Sequence, residues 1–141
     1  MPRQLKIAWY IVVVSLASFL TVGVLATVLG TAKALPGFAL FAFVGLSPFL
    51  FREKRRPGEV AFDERDNVIN RKAALAGAMA SYLWFVLSCM IFWAILRHQG
   101  QTTVSINLLP EIVGIGGMIL FFSHALATIV LYGRRTDDAG I

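Results

Sequence analysis

Charge is what this sequence is short of. Asp, Glu, Lys and Arg make up 15% of its 141 residues, where an ordinary soluble chain carries about 25%. Between residues 73 and 132 the carboxylates reduce to Glu111 and the permanent cations to Arg97. The single cysteine, Cys89, excludes an internal disulfide, and its simplest role is that of a small buried hydrophobe. His124 is the lone imidazole within an apolar block, His98 lies at the other end of the chain's height, and no acid sits at depth. A lone histidine is a poor metal ligand set, and membrane enzymes with polar sites bring several ionisable groups to one depth. No catalytic residue, metal site or cofactor is therefore assigned, and the chain reads as non-catalytic.

What is there instead is length of apolar chain. Uncharged runs cover 7–29, 34–51, 73–96 and 108–132, and about 20 helical residues cross a hydrocarbon core about 30 Å thick. The runs are apolar all the way round rather than alternating with the period 2 or 3.6 of a soluble core. The first run is too long for the h-region of a cleaved signal peptide. It reads as a retained helix.

Four crossings place both termini and the middle loop on one face. That face carries Arg3, Lys6, Arg52, Lys54, Arg55, Arg56, Arg65, Arg71, Lys72, Arg134 and Arg135, against Lys33 and Arg97 on the other. Such a basic bias marks the cytoplasmic side. The net charge of +5 thus reads as topology and as attraction to anionic headgroups, not as a nucleic-acid footprint. The expected fold is all-α: one integral membrane four-helix bundle in the cell inner membrane, multi-pass, with both termini cytoplasmic. Helices are expected over about 7–29, 34–51, 64–97 and 108–132, with a cytoplasmic loop over 52–72 and the third helix extended into the cytoplasm.

Local chemistry refines this. Trp9 and Tyr10 suit the headgroup level. A short connection from Gly30 to Lys33 makes a tight antiparallel hairpin of the first two crossings. The second is Phe-rich, tolerates Pro36 in its first turn, and is kinked or stopped at Pro48. Its 18 residues would give about 27 Å as an α-helix. In the loop, Pro57-Gly58 marks a turn, and Asp63 reads as an N-cap with Glu64 and Asp66 complementing the dipole of the third helix. The outer loop over 98–107 alternates weakly, and Asn107 with Pro110 marks the start of the fourth helix.

Two helix faces carry polarity. At 100° per residue Asp63, Asp66, Asn67, Asn70, Ala74, Gly77, Ser81 and Ser88 share one sector of the third helix. Ala73, Gly77 and Ser81 repeat every four residues, the spacing that lets another backbone come close. Tight helix packing is the simpler reading, and the wall of a water-filled path the other. On the fourth helix Gly117, His124, Thr128 and Arg135 share a side. An ionisable group inside a bilayer is a functional candidate, while the plain reading of His124 is a hydrogen bond to Ser81, Ser88 or Ser15. Glu111 fits the first turn of the fourth helix or an outer cation-attracting mouth. Gly114, Gly116 and Gly117 thin that helix for close packing or distortion. Asp63, Glu64 and Asp66 sit among basic neighbours, so salt bridges and capping explain them more simply than magnesium.

Over Phe62-Asp63-Glu64-Arg65-Asp66-Asn67-Val68-Ile69-Asn70-Arg71-Lys72-Ala73 the chain resembles a set of small prokaryotic multi-pass membrane proteins. They carry an Asp-Glu-Arg-Asp-x-x-Ile-x-x-(Lys/Arg)-Ala stretch in a cytoplasmic loop before a transmembrane helix. The resemblance implies no particular chemistry; it marks the loop as the part that recognises something.

Two functions follow from these readings. In the first, the protein is an interaction, regulatory or accessory subunit whose 52–72 loop binds a cytoplasmic protein or anionic lipid, with Asp63, Glu64, Arg65, Asp66 and Asn70 as the partner-binding residues. In the second, it is a small homo-oligomeric channel or transporter with a path along Ser81, Ser88, Glu111, His124 and Thr128. The bulk of Trp84, Phe85 and Leu87 at mid-height favours the first. Small-residue faces, including Gly23 and Thr27 on the first helix, suit a homo-oligomer or a subunit of a larger membrane complex. Besides these, the bilayer is the expected partner.

Overall fold

The computed structural model describes residues 3–51, 64–106 and 108–138, with the side chains of 31, 32, 35 and 134–138 left aside. Asp63 and the Pro57-Gly58 turn lie outside the described residues, as does Asn107. Among those described every regular element is helical. The first helix is Arg3–Leu29, the third Glu64–His98 and the fourth Leu108–Asp138, and these three are long and apolar enough to cross a membrane. The third begins with Glu64 and Asp66 in its first turn, where carboxylates oppose the positive end of the helix dipole.

Each turn out of a long helix is made by a glycine in the left-handed region. Gly30 (φ 86) ends the first helix and Gly100 (φ 68) follows the third. At the latter, the Gly100 N–H donates to the Arg97 carbonyl and the Gln101 N–H to the Leu96 carbonyl, the paired bonds of a Schellman cap.

The second segment departs from a plain α-helix over 34–51. It is an α-turn at Thr31–Ala34, a 3-10 helix of 12 residues at Leu35–Leu46, and a second α-turn at Ser47–Leu50. Pro36 opens the 3-10 stretch as expected. Pro48 does not stop a helix: it sits in the first turn of the last α-piece, where a missing N–H costs little. Two prolines and two glycines in the run weaken α-formation. In a 3-10 helix side chains three apart line up, and the packing uses that. Ala34 and Gly37 are buried on one line, and a Cβ on Gly37 would lie 2.9 Å from the Val22 side chain. Phe38, Phe41, Val44 and Ser47 make a second line, with Val44 and Ser47 buried.

This segment runs back along the whole first helix. The Tyr10 hydroxyl donates to the Phe43 carbonyl at 2.9 Å, and the Phe51 ring packs edge-on against Tyr10 with centroids 5.7 Å apart. From Gly30 to Tyr10 the first helix rises about 30 Å, so the second segment covers a bilayer's hydrocarbon thickness. Drawn out at about 2.0 Å per residue in its 3-10 part, it reaches that height although its apolar helix, Pro36–Leu50, is shorter than the other three.

The core lies between the first helix, the second segment and the fourth helix. Ala8, Ile11 and Val12 cluster with Val44 and Ala125, flanked by Phe41, Phe122 and Ile129. The first helix turns Ser15 and Ser18 fully inward here, and Ser18 donates to the carbonyl of Val14. Its face toward the core is thus Ala8, Ile11, Val12, Ser15 and Ser18, whereas Gly23 and Thr27 lie outside the close contacts: a Cβ on Gly23 would meet nothing within 4 Å, and Thr27 is exposed. The fourth helix is the centre of the bundle. Gly114 receives the Phe38 ring, Phe121 packs edge-on against Phe41, and Gly116 faces Trp84 and Ser81 of the third helix.

Candidate functional site: the contact between the third and fourth helices

The polar face read along the third helix is turned onto the fourth. At the end where the third helix starts, the Tyr132 hydroxyl donates to the Asp66 carboxylate. Next, His124 Nε2 lies 3.1 Å from Asn70 Oδ1; the amide oxygen only accepts, so the imidazole is the donor. Above them Gly77 lies flush on the fourth helix, and a Cβ there would come within 2.6 Å of the Leu120 carbonyl and 3.1 Å of the His124 Cβ. The Ser81 hydroxyl donates to the Gly116 carbonyl at 2.9 Å, and the Trp84 indole to the Ile112 carbonyl at 3.3 Å. Successive contacts pair rising numbers on one helix with falling numbers on the other. This is a single antiparallel register held for five turns.

The spacing that produces it is visible in the chain. Asp66, Asn70, Ala73, Gly77, Ser81, Trp84 and Ser88 follow the helical repeat, and Ala73, Gly77 and Ser88 are buried. Small side chains at 73 and 77 let the backbones approach. The flanking polar groups then find partners across the seam, Asp66 and Asn70 as acceptors and Ser81 and Trp84 as donors, which in hydrocarbon is the alternative to leaving them unsatisfied.

Not every candidate residue takes part. Ser88 donates to the Phe85 carbonyl and Thr128 to the His124 carbonyl, each within its own helix. Glu111 is half-buried in the first turn of the fourth helix. Glu64 and Arg65 are exposed at the start of the third. Of the five residues read as a partner-binding set, Asp66 and Asn70 are therefore engaged with Tyr132 and His124. His124 is bonded to Asn70 and not to Ser81, Ser88 or Ser15. It lies at the level of Asn70, near the start of the third helix.

Three members of the contact were missed in the sequence: Tyr132, Trp84 and Gly116. Each had a signal. Tyr132 and Trp84 carry a polar tip on an apolar body, which demands a partner when buried, and Gly116 belongs to the glycine cluster already noted. Cys89 is exposed, not buried. Among the described residues no group of three or more His, Cys, Asp or Glu side chains is placed to hold a metal ion.

No curated protein and no solved structure matches the chain. A family model does, over residues 5–135, which reaches into all four helical segments and includes the whole contact between the third and the fourth. The chain belongs to that family, described as "Predicted membrane protein (DUF2178)".

Proposed function

We propose that this protein is a non-catalytic interaction or accessory subunit of the cell inner membrane, with both termini and the 52–72 loop cytoplasmic. The observation that carries this reading is the closed seam between the third and fourth helices. Asp66, Asn70, Ser81 and Trp84 are engaged across it, and at Gly77 the two backbones leave no room for a methyl group. A seam of this kind supports anchoring and counts against a water-filled path between these helices. Of the loop residues read as partner-binding, Glu64 and Arg65 are left exposed; with Asp63, which lies outside the described residues, they are the groups offered to a cytoplasmic protein.

The topology rests on two supports. The second segment returns to the level of Tyr10, so it counts as a crossing, and four crossings put the eleven basic residues on one side. Gly23 and Gly117 open onto free space, which suits close approach by another helix in a homo-oligomer or larger complex.

The test is photo-crosslinking in intact cells from a reporter placed at position 62. A discrete crosslinked cytoplasmic protein is expected, and Asp63→Ala with Glu64→Ala and Arg65→Ala should abolish it while insertion and accumulation persist. Unchanged crosslinking in the triple variant overturns the loop assignment. Ion flux through the wild-type protein in sealed vesicles would favour the channel reading instead.

A further inference from the structure

We propose that Arg71 and Lys72, the last two residues before the apolar run of the third helix, form a binding site for the phosphate of an anionic phospholipid, set at the membrane edge by the register of that helix on the fourth. The site is separate from the surface formed by Glu64 and Arg65 and does not depend on it.

The depth comes from the register. Tyr132 holds Asp66 and His124 holds Asn70, which fixes the third helix along its axis. Arg71 and Lys72 follow Asp66 by five and six residues, about 8–9 Å further along the helix axis, immediately before the apolar run that opens at Ala73. Beside them the fourth helix stays uncharged from Ile112 to Gly133. The Tyr132 ring, which suits the interface, lies at the level of Asp66, before Arg71 and Lys72 along the third helix.

The orientation comes from the same contact. Asp66, Asn70, Gly77, Ser81 and Trp84 define the side turned to the fourth helix, and Arg71 and Lys72 are exposed on the rest of the circumference. Their stems therefore run along apolar surface, as long basic side chains do near a membrane edge.

No acid lies within one turn of them on the third helix. The neighbours one turn away are Asn67, Val68 and Ile69 on one side and Ala74, Leu75 and Ala76 on the other. The fourth helix has no carboxylate between Glu111 and Asp137. Asp66 points to Tyr132, on the other side of the helix. Two adjacent cations at the edge of hydrocarbon with no acidic neighbour on these helices call for a counter-anion from the bilayer. A guanidinium takes two phosphate oxygens in a fork and the ammonium supplies a point charge. A headgroup with net negative charge, such as phosphatidylglycerol, suits the pair better than phosphatidylcholine, whose own amine offsets its phosphate.

The experiment is native mass spectrometry of the full chain in mild detergent, titrated separately with phosphatidylglycerol and phosphatidylcholine. The wild type should retain phosphatidylglycerol in preference. Each charge near a membrane surface corresponds to roughly a fivefold effect on affinity, so Arg71→Gln with Lys72→Gln should weaken retention by roughly 25-fold. Lys33→Gln, at the other end of the bundle, should leave it unchanged. The charge-keeping swap Arg71→Lys with Lys72→Arg should keep most of it, which separates binding from folding. Equal retention by the double Gln variant, or of the two lipids by the wild type, overturns the proposal. So does displacement by equimolar inorganic phosphate, which would make the site one for a soluble anion.

Discussion

The third helix is two structures in one rod. Over 64–88 it is fastened to the fourth helix by a side-chain bond or a backbone contact at nearly every turn. Over 89–98 it has passed the level of Leu108, where the fourth helix begins, and it continues for about 15 Å without that neighbour. Ile91 and Ile95 point in the direction of the seam yet remain 54% and 46% exposed, simply because the fourth helix is no longer there. Both parts are apolar and both are α-helical. The difference lies in what stands on the seam side: small residues with polar neighbours in the first part, bulky Ile91 and Ile95 in the second. Apolar content alone does not fasten helices in a solvent as apolar as they are; close backbone approach and hydrogen bonds do.

Substitutions can break or sharpen this contrast. The largest effect is expected at Gly77. Gly77→Leu must displace the Leu120 carbonyl, and overpacking of this kind costs about 1–3 kcal/mol. A disulfide engineered between positions 81 and 116 in a Cys89→Ser background should lose its yield, whereas Ala94→Leu in the outer part should leave it intact. A seam that tolerates Leu at 77 would mean the two helices are held by something else.

Next come the bonded pairs. Asn70→Leu and His124→Leu should each destabilise the bundle by about 1 kcal/mol, with a coupling of roughly 0.6–1.7 kcal/mol in the double-mutant cycle. Denaturant titration in mixed micelles measures both, and zero coupling would remove the pair from the account. Tyr132→Phe should cost less than about 1 kcal/mol by the same assay. The smallest effects belong to the outer part: Ile91→Ala and Ile95→Ala should stay within about 0.5 kcal/mol of wild type. An outer substitution that costs as much as Gly77→Leu would show that 89–98 is covered in the membrane.

Much of the inner part was legible in the chain. The start of the third helix at Glu64, the stripe through Ala73, Gly77 and Ser81, and its preference for packing all follow from the helical repeat and residue size. The partner of His124 was not. A helix face can be drawn from one sequence, but which residue stands opposite depends on the relative sliding of two antiparallel helices, and 99–107 leaves that free. The overhang past Leu108 is hidden for the same reason. The 3-10 form of the second segment was hidden otherwise. Its three-residue repeat through Phe38, Phe41 and Val44 is present, yet in a run without polar residues a period has nothing to contrast with.

That repeat gives the second segment three sides, of which one meets the first helix and one the core. The third side is Pro36, Ala39, Ala42, Gly45 and Pro48, all exposed, and a Cβ at Gly45 would touch nothing within 4 Å. Along this edge the chain has almost no side-chain padding. Acyl chains there meet the backbone through little more than a methyl group, so the bundle is thinner along this edge than along the Leu-, Met- and Phe-covered back of the third helix. In outline the molecule is lopsided, a slender margin on one flank and a broad one on the other.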